Sequence, residues 1–241
     1  MTMGTAVDFR FRDERLQADS SGALIWPARD SVVVADLHLE KGSAFAAAGT
    51  PLPPYDSRET LRRLNTVLDR VRPKRVICLG DSFHDGDAPG RLGPDETATL
   101  KRLTATYEWI WITGNHDPTP PESLGGSGAR EFRAANLTLR HEAARGPVEG
   151  EVSGHYHPKA GVSVRNRRVT GRCFVTDGVR LILPAFGAYA GGLDVRDPAI
   201  ESLLQRRYTV FILGRARVHR IPREVIGDPA PPPGEREPRL L

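Results

Sequence analysis

Ser31-Val32-Val33-Val34-Ala35-Asp36-Leu37-His38 is an apolar run with no polar alternation, closed by an acid and an imidazole. A strand that is apolar at successive positions is covered on both faces, so the run predicts a strand inside a layered sheet. The same form recurs down the chain. Arg75-Val76-Ile77-Cys78-Leu79-Gly80 ends at Asp81, and Trp109-Ile110-Trp111-Ile112-Thr113-Gly114 ends at Asn115 and His116. Leu137-Thr138-Leu139-Arg140 ends at His141, and Val152-Ser153-Gly154 ends at His155 and His157.

Helices separate the first three runs. From Asp56 to Val71, Leu61, Leu64, Val67, Leu68 and Val71 fall at helical spacing among charged residues. A second helix is predicted from Pro94 to Tyr107, opened by Pro-Asp-Glu, a favourable first turn. Strand, helix, strand, helix, strand implies parallel pairing through right-handed crossovers, with the strand ends on one edge of the sheet, where α/β proteins place their sites. After His157 the runs shorten: Gly161 to Val164, Cys173 to Asp177, Val179 to Pro184, Tyr208 to Leu213 and Ala216 to Ile221, with a short helix at Ala199 to Arg206. These predict a second, more antiparallel sheet beginning there. The fold class expected is a four-layer α/β/β/α sandwich.

The chain has 241 residues, 39% of them hydrophobic, and shows no internal repeat or linker through residue 221. One domain is expected over 1–221, followed by a disordered tail over 222–241 rich in Pro and charge. Collagen-like, wholly disordered and disulfide-stapled classes are excluded by composition. The sequence carries no apolar run long enough to span a membrane and no signal-peptide pattern, so a soluble, cytoplasmic protein is expected. Its two cysteines, Cys78 and Cys173, lie in apolar strands and read as buried thiols. A net charge of +4, with four Lys among 34 basic residues, favours an anionic substrate only weakly, because an Arg-preferring codon usage gives the same balance.

Six of the seven histidines, at 38, 84, 116, 141, 155 and 157, follow strand ends. Crowded neutral imidazoles would each need a partner, and charged ones would repel, whereas divalent cations accept their lone pairs. Asp36, His38, Asp81, Asn115, His141, His155 and His157 offer oxygen and imidazole nitrogen without thiolate, a set suited to Mn, Fe or Zn. Seven donors exceed the need of one ion. Two ions sharing a bridging Asp81, about 3.5 to 4 Å apart, would use them all.

Asp36-Leu37-His38, Gly80-Asp81, Gly114-Asn115-His116-Asp117, the isolated His141 and Gly154-His155-Tyr156-His157 together resemble, in order, the five-block signature of calcineurin-like metallophosphoesterases. More narrowly, Asp36 to Gly42, Gly154 to Pro158, Leu183 to Tyr189 and Gly191 to Leu193 resemble the ligase-associated DNA damage response endonuclease family PdeM, over roughly residues 8 to 221. The resemblance implies one ion on Asp36, His38, Asp81 and His157, and a second on Asp81, Asn115, His141 and His155. It also implies phosphodiester hydrolysis by a metal-bridging hydroxide, with His116 as general acid and Asp117 holding the His116 ring. Two divalent ions, Mn²⁺ foremost with Fe or Zn as alternatives, a DNA substrate, a DNA repair setting and association with a DNA ligase and a helicase are further implications.

One block departs from the broad family, which often has Asp three residues after the bridging Asp where this chain has His84. His84 is expected to hydrogen-bond a ligand or the phosphate, or to be an idle loop residue. Lys41 and Arg172 are expected substrate contacts, weighed against a solvated Lys41 beside Glu40 and an Arg-rich loop around Arg165, Arg167, Arg168 and Arg172. Arg215, Arg217 and His219 could track nucleic acid or form the wet side of a strand, and Trp109 and Trp111 read as core. Two other functions stay open: hydrolysis of a small phosphate ester such as a cyclic nucleotide, nucleotide-sugar or phosphomonoester, and a non-catalytic scaffold.

Overall fold

The computed structural model describes residues 5–50, 53, 55–119, 121–164 and 167–226, with no side chains described from 164 to 168. Seven strands form one sheet in chain order: β1 (Ala6–Phe11), β2 (Glu14–Asp19), β3 (Leu24–Trp26), β4 (Ser31–Val34), β5 (Arg75–Leu79), β6 (Glu108–Ile112) and β7 (Ser127–Ala129). The first four pair antiparallel and the last four parallel. Helices α1 (Lys41–Ala47) and α2 (Asp56–Val71) lie between β4 and β5, and α3 (Ala88–Arg91) and α4 (Pro94–Thr106) between β5 and β6.

Parallel register sets Val33, Ile77 and Ile110 side by side, with Val34, Cys78 and Trp111 in the next row. Because successive strand residues point to opposite faces, the first row enters the core between the sheets and the second meets the helices. There Leu61, Leu64, Val67 and Leu68 of α2 and Leu100 and Leu103 of α4 cover Val32, Val76 and Trp109. Each such side chain contributes roughly 1.5 to 3 kcal/mol when withdrawn from water, which is why the apolar stripe of α2 fixes its orientation.

The second sheet runs β15 (Val218–Pro222), β14 (Thr209–Leu213), β12 (Arg167–Thr176), β13 (Arg180–Ile182), β10 (Glu151–Ser153), β9 (Leu137–Arg140) and β8 (Glu131–Ala134), with β11 (Lys159–Val164) paired to β12. It begins at Glu131, not after His157 as expected, and β9, β10 and β13 within it are parallel. The strands ending at His141 and His155 therefore belong to the sheet opposite the one that carries Asp36, Asp81 and Asn115. Phe174, Leu181, Leu183 and Phe211 of this second sheet meet the first across the central core.

The four-layer α/β/β/α arrangement is present, with a thin last layer. Over the outer face of the second sheet lie Val195, the one-turn helix α5 (Pro198–Glu201) with Ile200, Tyr208 and Ile226, joined by the partly buried Tyr156, Leu203 and Leu204. The expected helix at Ala199 to Arg206 is cut to its first turn. The expected tail over 222–241 does not begin at 222, where Pro222 closes β15, Arg223–Val225 form a 3-10 turn and Ile226 is buried; the rest of it, 227–241, lies outside the described residues. Among the described residues, no helix is long and apolar enough to cross a membrane. Cys78 and Cys173 are free, buried thiols whose pKa burial pushes up.

Candidate metal centre

Three of the parallel strands, β4, β5 and β10, end in left-handed turns. Asp36, His38, Asp81, His155 and His157 have φ between 44° and 71°, a region costly for residues with a Cβ and common where side chains must be aimed. Glycines make room beside them. Gly80 has φ 68°, and a Cβ there would come within 2.5 Å of the His141 ring; a Cβ on Gly114 would collide with the carboxylate and amide of Asp81. The turns are laced together by backbone bonds, His38 N to Asp81 O at 2.9 Å and Gly154 N to His141 O at 2.9 Å, and His155 N donates to both oxygens of Asp36.

Two groups of donor atoms result. Asp36, His38 and His157 form one, and Asp81, His141 and His155 the other, each with ligand atoms within 4.8 Å of one another. Asn115 joins the second, its Oδ1 lying 2.9 Å from His141 Nε2 and 3.1 Å from His155 Nδ1. The groups adjoin, with Asp36 Oδ1 3.7 Å from His141 Nδ1 of the other group.

The donor chemistry fits cations. His141 Nδ1 lies 2.9 Å from the Leu79 carbonyl, which can only accept, so Nδ1 carries the proton. In the neutral ring Nε2 then presents a lone pair to Asn115 Oδ1 and, at 3.3 Å, to Asp81 Oδ2, acceptor against acceptor. Either a second proton or a metal ion resolves that conflict. Without metal it is the proton: burial opposes it, but the hydrogen bond and charge of Asp81 and the charge of Asp36 hold His141 at about 9. Burial would raise Asp81, yet His141 and the His116 N–H hold it at about 2. In the other group His38 Nε2 faces His157 Nε2 at 3.3 Å, His38 Nδ1 is buried without a partner, and burial brings His38 down to about 4 against the pull of Asp36.

All seven residues expected as ligands thus converge. His116 stands at their rim, part exposed: its N–H donates to Asp81 Oδ1 at 3.0 Å, and its Nε2 is 4.0 Å from Asp81 Oδ2. Contrary to expectation, its ring is not held by Asp117. The buried Asp117 carboxylate instead accepts backbone N–H bonds from Asp81 (2.9 Å), Gly114 (3.1 Å), Ser82 (2.7 Å) and Phe83 (3.2 Å). Burial pushes it up to about 6 against those bonds. Asp117 is a positioning residue for the Asp81 turn. The His116 ring is held by the carbonyl of His84, 2.8 Å from its Nδ1.

The His84 imidazole makes no hydrogen bond to a ligand. It stacks on His116, with centroids 5.4 Å apart and planes at 21°. Lys41 makes no ion pair among the described residues; its Nζ lies 5.8 Å from the Phe45 ring, near enough to His84 and His38 to help lower both. The Arg172 guanidinium donates to Ala185 O at 2.7 Å and pins the loop that hydrogen-bonds Ala35 and Asp36 through Phe186 and Gly187. Arg63 donates to Phe186 O beside it. Of the other arginines, Arg215 and Arg217 are exposed on the turn before β15, and the side chains of Arg165, Arg167 and Arg168 lie outside the described residues. Trp109 and Trp111 are buried under the helices, as expected. The sequence reading missed the orienting carbonyls of Leu79 and His84, which leave no residue-type signal, and Phe45, an exposed aromatic at the rim.

The family model of calcineurin-like phosphoesterases matches residues 31–181, from the start of β4 to within β13. The chain belongs to the calcineurin-like phosphoesterase family. It is a metal-dependent phosphoesterase, and the matched span carries every residue of both donor groups. Among solved structures, this phosphoesterase is similar to the Pseudomonas putida nuclease MPE, with 27% identity, 89% of this chain and 100% of that chain covered, and a TM-score of 0.69. An Aquifex aeolicus protein of unknown function (14% identity, 53% and 77% covered, TM-score 0.36) and the Escherichia coli phosphoesterase Yfce (12%, 79% and 97%, 0.39) are too distant to bear on the site. No curated protein matches in sequence.

Proposed function

We propose that this chain is a dinuclear phosphodiesterase that cuts DNA. The observation that carries the reading is the pair of adjoining donor groups, Asp36, His38, His157 and Asp81, His141, His155, at the joined strand ends of two sheets. Asp36, His38, Asp81 and His157 would hold one divalent ion, and Asp81, Asn115, His141 and His155 the other. Ions bound there would acidify water and neutralise phosphate oxygens as charge develops.

The chain's own residues supply the rest. Because the His84 carbonyl fixes the proton of His116 on Nδ1, proton exchange falls to Nε2, the nitrogen nearer Asp81. Imidazolium His116 gives its Nε2 proton to the leaving oxygen and returns to the neutral Nδ1–H form without rotating. Asp117 holds the Asp81 turn, and Lys41 offers an uncommitted charge to substrate.

Similarity to a nuclease over the full length of that chain supports a nucleic-acid substrate. The resemblance to the ligase-associated endonucleases supports manganese as the working metal, a DNA repair role beside a DNA ligase and a helicase, and a cytoplasmic location. The test is purified protein loaded with Mn²⁺, its metal content measured on the same sample, assayed on bis(4-nitrophenyl) phosphate, plasmid DNA and 4-nitrophenyl phosphate. Diester hydrolysis and nicking are expected. Turnover of the monoester alone overturns the nuclease reading in favour of a small-molecule phosphatase, and no turnover of a loaded sample favours a scaffold.

A further inference from the structure

The two flanks of the metal centre offer a substrate different surfaces. On one side a groove of about 340 Å³ runs past Asn115 and His141 between Thr113, Arg130, Glu131 and Glu142. It is polar, sets the carboxylates of Glu131 and Glu142 beside the guanidinium groups of Arg130 and Arg140, and among its lining residues has no ring but the imidazole of His141. Tyr156, edge-on to His155, is packed into the outer core of the second sheet.

The other side is built of rings. His116 stacks on His84 at 5.4 Å, and His84 meets Phe45 of α1 at 5.8 Å with planes tilted by 42°. Phe45 is among the few large apolar side chains exposed in the described residues, at 37%. Lys41 Nζ lies 5.8 Å from its ring centroid. The platform is firmly mounted: the α1 backbone is tied to α2 by Gly42 N to Asp56 Oδ2 at 2.9 Å, and Arg91 donates to Ser43 at 3.1 Å.

We infer that the His84 and Phe45 rings form the binding surface for the base of the leaving nucleotide, with Lys41 meeting its next phosphate. The inference rests on the proposed nuclease reading and deepens it. If His116 protonates the leaving oxygen, the leaving nucleotide lies on the His116 side, and the first surface beyond His116 is His84, then Phe45. Every base has a π face, so such a platform favours nucleotides over other alcohols without selecting a sequence.

The experiment compares two single strands differing at one residue, a normal nucleotide or an abasic one on the leaving side of a single cleavable linkage. Wild type should prefer the base-bearing strand by roughly tenfold in kcat/KM, the scale of one base stacked on an aromatic ring. Phe45→Ala and Phe45→Leu should lower that ratio toward one, the leucine showing that loss of the π face matters rather than loss of volume, and Phe45→Trp should keep it. Binding of the same strands to metal-free protein, read by fluorescence anisotropy, should follow the same ranking. A ratio near one in wild type, or one that Phe45→Leu leaves intact, overturns the platform while leaving the nuclease reading standing. Hydrolysis of bis(4-nitrophenyl) phosphate with cleavage of neither strand overturns both.

Discussion

The two halves of the metal centre solve the same problem differently. In the Asp36 half, His38 is buried with a free Nδ1, faces His157, and is held near 4, so its imidazole is neutral at ordinary pH. In the Asp81 half, His141 is pinned by the Leu79 carbonyl between two oxygen acceptors and held near 9, so without metal it carries a second proton. The difference shows that a proton stands in for a cation in one half, whereas the other half is ready to receive one. Filling the Asp81 half must expel a proton, so its affinity should rise with pH up to about 9.

The largest expected effect breaks one half alone. His141→Ala, which removes a donor from the Asp81 half only, should cut turnover by roughly 10³-fold or more and reduce the bound metal from about two ions per chain to about one, measured by elemental analysis beside the rate. Two ions retained would show that His141 does not hold a metal in its half.

Next, His116→Gln should leave both halves filled while slowing substrates with poor leaving groups by roughly 10²-fold, with much less effect on 4-nitrophenyl esters. Equal losses on both substrate types would remove the acid role. Gly114→Ala sharpens the contrast structurally. Its methyl group collides with Asp81 and Asp117 and not with Asp36, so metal affinity should fall roughly 10-fold to 100-fold in the Asp81 half and less in the Asp36 half, which shares only Asp81, as read by calorimetric titration.

The smallest effect is on the stability of the metal-free chain, where the halves have opposite signs. His141, raised above its ordinary 6.5, contributes stability present in full below about 6.5 and lost as pH climbs through about 9. His38, lowered to about 4, opposes the folded state as pH falls from 6.5 toward 4. Metal-free melting temperatures should therefore peak near neutrality and decline on both sides, by roughly 2 to 4 °C for each kcal/mol of coupling. Bound metal should flatten the alkaline side. An unchanged alkaline decline in loaded protein would place the proton elsewhere.

Helix α2 was legible to the residue because its apolar positions recur at the helical period and Arg72, left-handed at φ 50°, stops it before Pro73. The central strands were legible because both faces are apolar. The N-terminal strands β1 to β3 escaped the reading although Phe9, Phe11, Leu16 and Ala18 alternate with Asp8, Arg10, Arg15 and Gln17, a period of two that points one set into the core. Membership of β9 and β10 in the second sheet was not legible, since an apolar run does not name its neighbour.

By itself the sequence determined the donor inventory: five blocks whose residue types can bind divalent cations, set at the ends of apolar runs. Only the tertiary structure decided which donors share a group and which neighbour orients which ring. Asp117 follows His116 directly yet serves the turn at Asp81, while the carbonyl of His84, 32 positions away, holds the His116 ring. Arg172, expected from its charge to meet phosphate, donates to the carbonyl of Ala185. The reason is geometric. Successive residues of a loop or strand point in different directions, so adjacency along the chain carries little information about contact, which the meeting of two separate sheets fixes.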